Sequence, residues 1–210
     1  MTIPRIILAM VAALALSSCS MLAGKHEELT IYAPALTHTA AKPATTSGSW
    51  QLAVFEPRAI GPLDSNRIAV MPAAGQIETY KGVRWRDRAP IMIQQLMLQL
   101  FQELPGPAGA GFASGMLRAD FSLHTDLQDF QADYRGAQTP TVVVRLAAQL
   151  VDNSTNRVVA SRVFSAERGT SSGNVSAVFS AFQSALNELL PNLIDWARSE
   201  TSAAWKDGSH

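Results

Sequence analysis

Apolar and polar positions change period several times along this chain, and each change marks an element. Gln51-Leu52-Ala53-Val54-Phe55-Glu56 is a β-branched and aromatic run halted by Pro57, and Arg67-Ile68-Ala69-Val70-Met71 is a second halted by Pro72. Ile60-Gly61-Pro62-Leu63-Asp64, between them, reads as a loop. Gln76-Ile77-Glu78-Thr79-Tyr80 predicts a third strand, near enough to the second for a hairpin across Ala73-Ala74-Gly75. From Ala89 to Leu104 the period turns helical, with Ile93, Leu96, Leu100 and Leu104 on one stripe and Gln94, Gln95, Gln99 and Gln102 largely outside it. Pro90 suits the first turn, where its missing N–H costs nothing, and Asp87 favours the positive end of the helix. Pro105-Gly106-Pro107 ends it. Met92, Met97 and Leu98 widen the stripe, either as added core or as the lining of a groove for an acyl chain or partner helix.

Leu117 to Phe130 alternates with period two: Ala119, Phe121, Leu123, Thr125 and Leu127 share one face, and Asp120, Ser122, His124, Asp126 and Gln128 share the other. A strand with one wet face fits an antiparallel sheet. Val142, Val144, Leu146, Ala148 and Leu150 repeat the pattern, and Val158 to Ser165 repeat it again after the turn Asp152-Asn153-Ser154-Thr155-Asn156. Asn174 is placed to cap a helix running to about Arg198, with Val175, Val178, Phe179, Phe182, Leu186, Leu189, Leu193 and Trp196 on its apolar face and a kink or split expected at Pro191. The prediction is an α+β fold: a two-layer domain over residues 49–200, with a mainly antiparallel sheet of about six strands and two amphipathic helices on one face. Residues 201–210 are expected as a disordered tail.

The amino end follows a different plan. Met1 to Arg5 carries one positive charge, Ile6 to Leu16 has no polar side chain, and Leu16-Ser17-Ser18-Cys19 follows. A basic start, an apolar middle and small residues at a cut make residues 1–18 a signal peptide. The apolar run falls short of the roughly 20 residues that cross a bilayer. Leu-Ser-Ser-Cys is similar to the bacterial lipobox, which implies acyl chains on Cys19, the sole cysteine of the sequence. Three chains at about 0.8 kcal/mol per buried CH₂ anchor a protein almost permanently. An ordinary signal peptide would instead leave an exported chain with an unpaired thiol. Ser20, in place of Asp, favours the outer membrane by resemblance to the enterobacterial sorting rule. Residues 19–48, rich in Ala, Thr, Ser and Lys, are expected as a flexible lipidated arm, with Leu29-Thr30-Ile31-Tyr32 as a candidate edge strand.

Composition narrows the functional classes. The 210 residues carry 17 basic and 17 acidic side chains, and this balance gives no sign of a nucleic-acid surface. His26, His38, His124 and His210 are scattered and show no metal-ligand spacing. No Gly-x-Ser-x-Gly elbow occurs. The glycine-rich run 106–111 follows a helix and lacks the Lys-Ser/Thr of a phosphate loop, so it reads as a plain loop. No catalytic residue, metal or cofactor is assigned. Arg84-Trp85-Arg86-Asp87-Arg88 could bind lipid phosphates or an acidic partner rim, because guanidinium groups pair bidentately with both. Tyr80, Arg84, Trp85 and Arg86 are therefore the candidate interface, against the alternative of a solvated loop with Trp85 tucked onto the domain.

Four patterns, taken in order, resemble the ABC-type transport auxiliary lipoprotein family, which includes the paraquat-inducible (Pqi) lipoprotein. They are the lipobox followed by Leu29-Thr30-Ile31-Tyr32-Ala33-Pro34; Tyr80-Lys81-Gly82-Val83-Arg84-Trp85-Arg86-Asp87 before the first helix; Leu127-Gln128-Asp129-Phe130 with residues 146–152; and residues 158–164 with Ala181-Phe182-Gln183-Ser184-Ala185-Leu186 and Trp196. Arg86 and Arg88 make the second pattern more basic than the family's. The resemblance implies a non-enzymatic docking subunit, anchored to the outer membrane and facing the periplasm, that partners an MCE-domain protein of an inner-membrane ABC transporter for envelope lipids. A homo-oligomer is compatible with that role. The alternative is a stand-alone periplasmic lipoprotein that binds a lipid or apolar ligand in its own pocket.

Overall fold

The computed structural model describes residues 29–37, 50–103, 109–115 and 118–207; Cys19, the signal segment and most of the expected arm lie outside the described residues. In chain order the elements are β1 (Thr30–Tyr32), β2 (Gln51–Val54), β3 (Ala69–Met71), β4 (Glu78–Thr79), β5 (Val83–Trp85), α1 (Ala89–Glu103), β6 (Gly109–Phe112), β7 (Phe121–Asp133), β8 (Thr141–Asp152), β9 (Arg157–Gly169) and α2 (Val175–Asp207).

The long alternating strand β7 is the centre of the sheet. One of its edges pairs antiparallel with β8 along its whole length, and β8 pairs antiparallel with β9. The other edge is shared: β2 takes the Phe121–Leu123 end and β3 the Gln131–Asp133 end, both parallel to β7. β4 joins β3 as the expected hairpin, and β6 joins β2 in parallel. The α+β class and the two layers are as expected, but the sheet has seven strands and is mixed. Alternation reports which face a residue takes and is silent on the direction of its neighbours. The parallel β2–β6 pair needs a long crossover, and α1 lies within it. Gly109-Ala110-Gly111-Phe112, whose first three residues were expected as loop, is that sixth strand; its glycines carry no strand signal of their own, and the register is set by Gln51–Val54 alongside.

Both helices cover the same face of the sheet. A bulge between Leu127 and Asp129 moves the inward set of β7 from Leu123 and Leu127 to Phe130 and Ala132, so the strand stays apolar toward the helices on both sides of the bulge. Met92, Met97 and Leu98 of α1 are all buried in the single core, which resolves the two sequence readings in favour of core. α2 begins where expected: the Asn174 side-chain carbonyl accepts the Ala177 N–H at 2.8 Å. It does not stop at Arg198 or break at Pro191; it runs 33 residues. Thr201 is fully buried and Trp205 meets Phe121 edge-on, so residues 201–207 are helix, not tail. The stripe continues there through Thr201, Ala204 and Trp205, and the small, partly polar Thr201 and Ala204 hide the apolar period.

The arm is also shorter than expected. β1 pairs in parallel with β5 (Thr30 with Val83, Tyr32 with Trp85), and the next residues lie along α2. Gln183 and Asn187 of α2 donate side-chain N–H groups to the Ala35 carbonyl, and their carbonyls accept the Ala35 and Thr37 N–H groups. Pro34 and Leu36 are buried. Residues 29–37 thus belong to the domain.

Two outcomes follow for stability. Trp85→Ala removes the indole beneath α2 and costs about 3–5 kcal/mol, measured by chemical denaturation. Gln183→Ala with Asn187→Ala costs no more than about 1–2 kcal/mol globally, because the bonds are exposed, yet speeds protease cleavage within residues 29–37.

Candidate functional site

The candidate interface sits on β5 and the turn before it. Gly82 has φ of 68°, a left-handed conformation that glycine adopts without strain, and its carbonyl accepts the Thr30 N–H at 3.0 Å. This turn sets the strand alternation that follows: Arg84 outward, Trp85 inward, Arg86 outward.

Trp85 is only 1% exposed. Its ring lies 5.4 Å from that of Phe130 and meets Phe182 edge-on at 5.1 Å. It belongs to the core and offers nothing to a partner, which corrects the interface expectation at this position. Tyr80 is half-buried beside Tyr134; burial, with Tyr134 adding to it, pushes its phenol well above the usual range, so it stays neutral. Arg86 donates to the Gln95 side-chain carbonyl on α1 at 3.1 Å. Arg88 is engaged by Asp64 and Glu56.

Arg84 keeps different company. With Arg67 and Lys81 it lines an open cavity of about 360 Å³ at the β4–β5 turn, where Tyr80 and Leu29 also contribute. Arg67 reaches the Thr79 hydroxyl at 3.5 Å, a long contact. Among the described residues none of these three cations is in an ion pair. Ile31 stands opposite Arg84 in the β1–β5 pairing and is 60% exposed, and Leu29 beside it is 45% exposed. Two bare aliphatic side chains therefore border three unpaired cations. The sequence pointed to Arg84 but not to Arg67, Lys81, Leu29 or Ile31. They converge only because β1 adds to β5 and the β3–β4 hairpin folds back beside them.

A second cavity, of about 260 Å³, opens on the other face of the sheet between Phe55, Arg58, His124 and Asp126. The His124 ring stacks on Phe55 at 4.2 Å, and burial pulls its pKa down against the opposing pull of Asp126. Asp126 is held by Arg58 at 2.8 Å, and the Thr125 hydroxyl is buried. This arrangement can carry a proton but presents no exposed nucleophile beside the imidazole. Between β9 and α2 a third, wider opening of about 670 Å³ is edged by Arg162, Phe164, Asp195 and Trp196, with the Arg162 guanidinium over the Phe164 ring at 5.1 Å. Among the described residues no three His, Cys, Asp or Glu side chains converge on a metal position, and no helix is long and apolar enough to cross a membrane.

Known proteins share this fold. The crystal structure of protein XCC0632 from Xanthomonas campestris, of the DUF330 family model, superposes with a TM-score of 0.75 at 33% identity, over 86% of this chain and 99% of that one. A second crystal structure, of an uncharacterized protein, gives a TM-score of 0.61 at 16% identity over 81% of this chain and 97% of the other, a likeness of fold. The uncharacterized protein bll6063 of Bradyrhizobium diazoefficiens is 27% identical over 154 residues, which are 73% of this chain but 41% of that relative's length. The family described as "ABC-type transport auxiliary lipoprotein component" matches residues 34–193. From the Pro34–Leu36 segment lying on α2 to Leu193 within it, the chain belongs to the ABC-type transport auxiliary lipoprotein family.

Proposed function

We propose that this protein is the lipid-anchored docking subunit of an MCE-type ABC transport system for envelope lipids, held in the outer membrane through Cys19 and working by contact rather than turnover. The observation that carries the reading is the family match over residues 34–193 on a domain whose two helices bury their apolar faces in one core. Met92, Met97 and Leu98, the residues best suited to line an acyl groove, are all closed inside that core, which speaks against the domain being a carrier in its own right.

Each part has its own measurement. Purified from detergent-solubilised envelopes under its own tag, the full chain is expected to bring down an MCE-domain protein together with a permease and an ATPase. Recovery of the chain with stoichiometric lipid and no transporter subunit would favour the carrier alternative. Cys19→Ser is expected to move the protein from the membrane fraction to the soluble one, since one residue holds all the acyl chains. Sedimentation of that variant with the outer membrane that persists through a high-salt wash would remove the anchor from the account.

A further inference from the structure

We infer that the groove formed by Arg67, Lys81 and Arg84, with Leu29 and Ile31 at its rim, is a membrane-facing surface that binds the phosphate headgroups of anionic phospholipid in the bilayer that holds the anchor. The inference rests on the anchoring at Cys19 proposed above, and it assigns the domain an orientation that anchoring alone leaves open.

Two independent observations converge on it. The first is reach. Leu29 is ten residues from Cys19, so whatever the conformation of the segment between them, the two lie no more than about 33–36 Å apart. α2, at 33 residues, is about 50 Å long. The tether is shorter than α2, so the domain cannot stand on the far end of α2 with its entry end lifted away, and the surface around Leu29 stays within that distance of the lipid. The groove is at the near end: Leu29 lines it, Tyr80 meets Tyr134 just past the end of β7, and Tyr32 packs on Phe179 in the first turns of α2.

The second observation is chemistry. Surfaces that lie on membranes combine exposed aliphatic side chains with Lys and Arg, the former entering the headgroup boundary and the latter pairing with phosphate. Ile31 and Arg84 are direct cross-strand neighbours, Leu29 shares the cavity with Lys81 and Arg67, and none of the three cations is in an ion pair among the described residues. Glu78, the acidic residue of β4, does not line the cavity. Some arginines elsewhere are held by acids, Arg58 by Asp126, Arg88 by Asp64 and Glu56, and Arg135 by Asp133 and Glu167, whereas the cavity lining contains no acidic side chain. Three cations thus lie together in one cavity beside Leu29, where the amino-terminal segment enters.

The test uses the mature chain carrying Cys19→Ser, so that no acyl chain contributes. It is sedimented with vesicles of phosphatidylcholine alone and with vesicles containing phosphatidylglycerol. Binding is expected to the anionic vesicles only, to weaken with salt, and to fall roughly fivefold for each cation lost among Arg67→Gln, Lys81→Gln and Arg84→Gln. Ile31→Ser is expected to lower binding with less dependence on salt. Circular dichroism of each variant reports that the fold is kept, and all four side chains are exposed enough for that to be expected. Equal partition of wild type and triple variant would overturn the inference, as would loss of transporter capture by the triple variant with vesicle binding intact, which would give the groove to a protein. An unacylated native chain would sink the anchoring reading and leave the vesicle result standing, so the two failures are distinguishable.

Discussion

Trp85 is the side chain on which the two sheets and the longer helix agree. Its ring sits among Phe130 of β7 and Phe179 and Phe182 of α2, and its own strand, β5, is the one that β1 joins. Burying an indole of this size against aromatic neighbours is one of the larger single contributions a domain of this length contains. The residues on either side of it are fixed as a consequence. With Trp85 turned inward, strand geometry sends Arg84 and Arg86 outward, and the backbone left facing away from the core is free to accept Thr30–Tyr32. The entry of the amino-terminal segment and the exposure of the arginines are two results of the same packing.

Much of this was readable from residue spacing, and the rest failed for identifiable reasons. The α1 and β7–β8 patterns were legible because each buries one face against a continuous layer, which imposes a regular period over several consecutive residues even where a bulge later shifts it. β6 was not, because a four-residue strand with two glycines has its conformation chosen by β2 rather than by its own side chains. The carboxyl end of α2 escaped because a helix anchored by 26 earlier residues needs only small side chains, such as Thr201 and Ala204, to stay packed. At the candidate site the error was instructive. Aromatic and basic residues at alternate positions fit an interface and a buried strand equally well, and only Phe130 and Phe182 across the core decide that Trp85 is inside.

The groove shows what no local pattern contains. Arg67 precedes β3, Lys81 lies in the turn after β4, Arg84 is within β5 and Leu29 comes from a segment nearly 40 residues before the first of them. Their meeting depends on one hairpin and one parallel pairing, both long-range in sequence. Charge balance over the whole chain, 17 against 17, concealed it as well, because a neutral total is compatible with three cations gathered in one cavity that no acidic side chain lines.

Pinning residues 29–37 changes how an anchored domain can move. A 28-residue free arm would let the body sample any orientation at tens of ångströms from its lipid. Ten residues exclude at least the upright orientation with the far end of α2 on the bilayer, because α2 is longer than they can extend. The bonds from Gln183 and Asn187 to Ala35 and Thr37 therefore act on orientation as well as stability, since releasing them would lengthen the tether at its domain end. In the same geometry the β4 edge of the sheet lies beside the entry point and β9 forms the opposite edge, with β3, β7 and β8 between them. A short tether entering at one edge thus imposes a near side and a far side on a domain whose core is itself indifferent to direction, and that asymmetry is the property a subunit working between a membrane and a second protein requires.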